Sequence, residues 1–131
     1  MVKTKRIYDE ASPADGKRFL VDRLWPRGIK REEVRIDEWL KDIAPSTELR
    51  KWFSHEPAKW QEFKNRYKKE LENKTELTGK LQAEAKKRTI TLLFAAKDRE
   101  HANAEVLKEV LDKAMAGRSK GIIERGKRKS G

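Results

Sequence analysis

The sequence predicts an α/β domain: a short, mainly parallel sheet with helices packed on it, in a Rossmann-like three-layer arrangement. Two apolar runs rich in β-formers, "KRFLVDRL" (17–24) and "TITLLFAA" (89–96), read as strands. Most of the rest carries apolar residues at three- and four-residue spacing, the helical period. The stretch between the two runs, 29–88, is long enough for a crossover between parallel strands.

In chain order, "TKRIYD" (4–9) reads as a first strand. "EASPADGK" follows, and its Pro13 and Asp15-Gly16 mark a turn or short loop. That loop either closes a hairpin or leads into a parallel strand. After the second strand, Ile36, Trp39, Leu40 and Ile43 fall at i, i+3, i+4, i+7 and predict a helix over "IDEWLKDI". "APS" breaks it, and Ser46 is suited to cap "TELRKWF", where Leu49, Trp52 and Phe53 share a face. Pro57 fits the first turn of the next helix. Trp60, Phe63, Tyr67 and Leu71 line that helix, and Glu62–Arg66 and Glu70–Lys74 stand at i, i+4 on its outside. "ENKTELTGK", with Gly79, reads as a break before a short helix carrying Leu77, Leu81 and Ala85. After the third strand, Val106, Leu107, Val110, Leu111, Ala114 and Met115 form a helical stripe ending at Gly117, a natural stop. The four tryptophans, 25, 39, 52 and 60, are expected between sheet and helices. The predicted domain is 1–117, followed by a basic, disordered tail over 118–131, where "GIIE" could form a short extra strand.

Charged residues make up 42% of the 131, hydrophobic ones 36%, and the net charge is +11. The tail contributes Arg118, Lys120, Arg125, Lys127, Arg128 and Lys129 against Glu124, so nearly half of the excess is there. A basic body suits anionic partners, although a solvated Lys/Glu surface also accounts for the composition. There is no cysteine, which excludes disulfides, thiolate chemistry and Cys-ligated metal. No secretory leader and no apolar run of bilayer length is evident, so a cytoplasmic protein is expected, with no membrane partner.

The functional signal lies where the two strong strands end. "LVDRLWPRG" places Asp22, Arg23 and Arg27 at the end of the second strand. "AAKDREHAN" places Lys97, Asp98, His101 and Asn103 between the third strand and the last helix. A buried unpaired charge costs several kcal/mol, so charges at the end of a core strand need partners or an opening. In open α/β sheets, ligands bind at the carboxyl ends of the strands, and helix N-termini favour anions. If the two strands are parallel neighbours, these groups meet in one pocket. Arg23, Arg27 and Lys97 are then candidates to hold an anion. Asp22, Asp98 and His101 are the candidate catalytic residues, and Asn103 a further ligand contact. Each also has a plainer reading: Asp98 as a helix cap, Asp22 in an ion pair with an arginine, Trp25 as packing, His101 as a solvated first-turn residue. A second set, Arg50 and His55 in "ELRKWFSHEP", adds a cation and a group suited to proton transfer near neutral pH.

No phosphate loop, dinucleotide fingerprint or nucleophile elbow occurs, and two histidines this far apart give no metal-ligand spacing. No metal and no particular cofactor is assigned.

The motifs "LVDRLWPRG", "IDEWLKDIAPSTELRKWFSHEP", "W..F...Y..EL" and "TLLFAAKD..HANAEVL" resemble the YeaO-like branch of the domain-of-unknown-function 488 family over residues 3–116. The resemblance implies a bacterial or archaeal cytoplasmic α/β protein, with no established activity to carry over. Other branches have a cysteine after the corresponding late strand; "AAKD" stands there here, so no thiol mechanism transfers. "HEP" replaces the "HDP" common in the family. Two readings follow from the residues. The first is a pocket for a phosphate- or carboxylate-bearing small molecule at the strand ends, with or without chemistry. The second is nucleic-acid binding through the basic surface and tail.

Overall fold

The computed structural model describes residues 1–116 in full and the backbone alone over 117–130. Four parallel strands form one sheet in the order β1-β4-β2-β3: β1 (Val2–Arg6), β2 (Lys17–Leu20), β3 (Glu38–Trp39) and β4 (Ile90–Phe94). Val2 and Lys17 flank Ile90 from the two sides, and Leu20 sits beside Leu93. All five residues of β4 are buried, as its apolar run requires of a central strand. The link from β1 to β2 is therefore not a hairpin. It is a short parallel connection over a single 3-10 turn, Pro13–Asp15, capped by Ser12. Gly16 then turns the chain at φ 63°, and a side chain there would run into the Thr89 backbone.

Four helices follow: α1 (Thr47–Phe53), α2 (Trp60–Glu72), α3 (Thr75–Lys87) and α4 (Asn103–Ser130). They pack on one face of the sheet. Val2, Phe19, Ile90, Leu92 and Phe94 form one core with Leu49, Phe63, Tyr67, Leu71, Leu81 and Leu107. On the opposite face, Leu20 and Leu93 are covered by Trp25, Ile29, Val34, Ile36 and Trp39. The third layer is thus loop rather than helix.

Several expectations are corrected. β1 begins two residues before the predicted segment, and β2 stops at Leu20 instead of Leu24. The stretch 36–43 is not a helix. It is β3 followed by a 3-10 turn, Lys41–Ile43. Its helical spacing arises because Ile36 and Trp39 serve one core while Ile43 serves the other. Gly79 lies inside α3, and the break falls at Asn73 and Lys74. Only Trp52 and Trp60 pack on the helical side. Trp25 and Trp39 pack on the loop side, edge to face at 5.4 Å. α4 runs on through Gly117 and over "GIIE" to Ser130, so the helix does not stop at Gly117 and no strand forms there, while the side chains of the tail, 118–131, lie outside the described residues.

The segment 43–46 leads from β3 into α1, and side chains of the helices and the strand end clamp its backbone. The Tyr67 hydroxyl donates to the Ile43 carbonyl at 2.7 Å, and Lys74 donates to the Ala44 carbonyl at 2.9 Å. The Ser46 amide and hydroxyl donate to the two Glu70 carboxylate oxygens at 2.8 and 2.6 Å, while Ser46 Oγ caps Leu49. Glu70 and Lys74 therefore serve this segment and not each other, unlike Glu62 and Arg66, which pair at 3.3 Å. Tyr67 is fully buried, so Tyr67→Phe strands the Ile43 carbonyl. It should lower stability by about 1–2 kcal/mol, read by urea unfolding.

Candidate functional site

Because β2 and β4 are parallel neighbours, their carboxyl ends open together. A cavity of about 650 Å³ lies there, between the strand ends, the start of α1 and the approach to α4. All nine candidate side chains line it: Asp22, Arg23, Arg27, Arg50, His55, Lys97, Asp98, His101 and Asn103. Arg50 and His55, assigned to a separate set on sequence grounds, border the same space. Phe53, Phe63, Ala95, Ala96 and Ala102 supply apolar wall.

Asp22 is enclosed on most sides. Its Oδ2 accepts the Ala95 amide at 2.8 Å, which fastens the end of β2 to the chain leaving β4. Burial pushes its carboxyl up to about 6; the Ala95 N–H, the Asn103 amide and the charges of Arg50 and His55 oppose the rise without cancelling it. Asp22 forms no ion pair with Arg23 or Arg27, so the structural ion-pair reading does not hold. An extended chain would put Arg23 and Trp25 on one face and Asp22 on the other, but the alternation breaks after Val21. Arg23 enters the cavity beside Asp22, and Trp25 crosses to the opposite core.

Arg23 is largely committed to structure. Its Nε donates to the Pro45 carbonyl at 3.1 Å and Nη2 to the Ala44 carbonyl at 3.2 Å, while Nη1 stands 4.0 Å from Asp42. Asn103 is a tether as well, donating from Nδ2 to the Val21 carbonyl at 2.9 Å. Arg27, Arg50 and Lys97 differ from these two. They are exposed at the cavity, and their side chains have no hydrogen-bond or ion-pair partner among the described residues.

Asp98 turns the loop ahead of α4. Its Oδ1 accepts the Glu100 and His101 amides, and its Oδ2 lies 2.6 Å from His101 Nδ1. The His101 bond holds the Asp98 carboxyl below the usual range. The His101 ring meets the Trp60 ring edge-on at 5.1 Å and is half-buried, not solvated. A carboxylate that orients a histidine has the make-up of an acid–base pair. His55 reaches the cavity through two successive left-handed residues, Ser54 at φ 48° and His55 at φ 56°. Neither is glycine, and such conformations cost about 1–3 kcal/mol each and concentrate at functional sites. Sequence patterns carry no signal for this pair, nor for the approach of Phe53 and Phe63 to the cavity.

The fold and the cleft define a small parallel α/β protein whose strand ends open into a charged pocket. The chain belongs to the DUF488 family, in its YeaO-like branch: a family model described as "Inactive DUF488-N3 subclade" matches residues 1–129. It is 46% identical over 110 residues to the uncharacterized protein YeaO of Escherichia coli (strain K12), covering 84% of this chain and 96% of that one. It is 38% identical over 111 residues to the uncharacterized protein Rv3073c of Mycobacterium tuberculosis, covering 85% and 93%. No solved structure is a significant match. Among the described residues, no helix is long and apolar enough to cross a membrane.

Proposed function

We propose that this is a cytoplasmic protein whose strand-end pocket binds a small molecule bearing a phosphate or carboxylate. One observation carries the reading: Arg27, Arg50 and Lys97, three cations whose side chains have no hydrogen-bond or ion-pair partner among the described residues, border a single cavity. Against them stand Asp98, already engaged by His101, and Asp22, whose charge is disfavoured by burial. The pocket is therefore net positive, and its unspent donors are those that recognise oxyanions. The subclade's description as inactive favours binding over turnover. On this reading Asp98 and His101 orient the ligand and the cations.

Thermal melting of the full chain with phosphate, sugar phosphates, nucleotides and carboxylates tests the proposal. A ligand at about 100 times its Kd adds about 2.7 kcal/mol, a shift of several degrees in a domain of this size. Arg50→Ala and Lys97→Ala should each weaken binding about tenfold, the loss of roughly 1.4 kcal/mol of charge-assisted bonding. Arg23→Ala is a poor probe, because it also frees the 44–45 backbone. The proposal fails if no anion shifts the midpoint, or if the Arg50 and Lys97 variants bind as the parent does.

A further inference from the structure

The anion site proposed above accounts for the cations at the mouth but not for Asp22 or for the size of the cavity. The structure points to a more specific ligand, and we infer that it is a nucleoside monophosphate: a ring system on the apolar wall, an N–H or O–H donor on Asp22, and the phosphate on Arg27, Arg50 and Lys97. This inference rests on the anion reading and narrows it.

The cavity, about 650 Å³, falls within the range that encloses mid-sized ligands. It far exceeds what inorganic phosphate or a two-carbon acid would fill. Its surfaces are also divided. The cations that lack partners are exposed, whereas Asp22 is enclosed, next to the strand ends. Only one Asp22 oxygen is tied to the backbone, at Ala95, and the Asn103 amide is the one further protein donor to the carboxylate among the described residues. An acceptor in that position repels a ligand whose inner end carries only oxyanions. It is satisfied by a hydroxyl, an amine or a ring N–H. The ligand must then be bipolar along its length, with a donor inside and an anion outside.

The remaining lining is largely apolar and includes Phe53 and Phe63, stacked at 4.4 Å. That wall excludes a plain sugar phosphate, which would lay hydroxyls against hydrocarbon. It admits a heterocycle, whose faces are apolar and whose edge carries the donor. A fatty acid would fill the wall but bring no further donor to Asp22. An amino acid carries its ammonium and carboxylate on one carbon, too close together to serve both the enclosed carboxylate and the exposed rim. Three unpaired cations also exceed what one carboxylate requires and suit a phosphate dianion.

Calorimetric titration of the full chain tests this, using phosphate, ribose 5-phosphate, the four common ribonucleosides and their 5′-monophosphates. At least one monophosphate should bind ten or more times tighter than ribose 5-phosphate, phosphate or its own nucleoside. In Asp22→Asn, the bond to the Ala95 amide turns the side-chain NH₂ toward the ligand, replacing an acceptor with a donor. Monophosphate affinity should fall at least tenfold while phosphate affinity stays within twofold, with folding verified by the melting curve. Lys97→Ala should weaken every phosphate-bearing probe. If phosphate and ribose 5-phosphate bind as tightly as any monophosphate, the nucleotide class is overturned and the anion site stands. If no phosphate-bearing probe binds, both are overturned. Full monophosphate affinity in Asp22→Asn overturns the role given to Asp22.

Discussion

Arg18→Ala should lower the unfolding free energy by about 3–5 kcal/mol, the cost of leaving one member of a buried ion pair unmatched. Arg18 has no exposed surface although it lies in β2. It points to the loop side, where its Nε donates to the Arg35 carbonyl at 2.6 Å and its Nη1 pairs with Asp15. Its backbone amide donates to Asp37 at 2.7 Å. Asp15 is itself buried; it accepts the Ser12 amide at 3.0 Å and Lys5 at 3.1 Å. Burial alone would push the Asp15 carboxyl up, but the Ser12 amide, Lys5 and Arg18 together bring it below its ordinary value. A lowered carboxyl contributes stability that is present above its unfolded value and is lost as pH falls through the folded one. The penalty of Arg18→Ala should therefore shrink in acid, once Asp15 is protonated. Arg18→Met keeps the apolar stem and should lose less than alanine does. Urea unfolding of both variants across pH reads this directly. A loss below about 1 kcal/mol for alanine at neutral pH would mean that the pair is not a keystone of the loop-side layer.

That layer shows why the fold was legible in part. The central strand β4 announces itself, because a strand buried on both faces reads as continuous hydrocarbon. α1 and α2 are equally plain, since each has one apolar face, and Ser46 caps α1 as its residue type suggests. β3 is different. It has two residues, and Ile36, Trp39 and Ile43, in and around it, mimic a helical face while serving cores on opposite sides of the sheet. Periodicity cannot separate these cases, because it records spacing and not destination. Arg18 was hidden for a similar reason: a charged residue in a strand reads as exposed until its partners, which come from the loops around Asp15 and Arg35, are in place.

The pocket was more legible than the fold around it. Charges at the ends of two core strands need company, and parallel neighbouring strands bring those ends together. That inference requires only the pairing of β2 with β4, so errors in the rest of the topology did not disturb it. Bonding partners were not legible. Nothing in the chain order says that Arg23 bonds the 44–45 carbonyls or that Arg50, a helical turn beyond Ser46, is left unpaired. Those assignments depend on where α1 docks, which is a tertiary fact.

Asp22→Asn should raise stability at neutral pH, by up to about 3 kcal/mol, and remove a pH dependence that the parent carries. The carboxyl titrates near 6 in the folded chain, against 3.8 as its ordinary value, and each unit is worth about 1.4 kcal/mol. The sign follows from proton binding. Between these two values the folded state holds a proton that the unfolded state has released. Stability from this group is complete below about 4 and falls away as pH rises through 6. Asparagine stays neutral throughout and still accepts the Ala95 amide. Parent and variant should melt together near pH 4, and the variant should melt several degrees higher at pH 7. Equal melting points at both values would mean that the carboxylate is comfortably solvated where it sits. A charge kept where it weakens the fold is difficult to explain by packing, because asparagine would make the same backbone contact at lower cost. Groups of this kind concentrate at functional sites, and improved stability on their removal is the usual counterpart of lost function. If the variant gains stability and loses its ligand together, the carboxylate is retained for what it binds and not for the strand it ends.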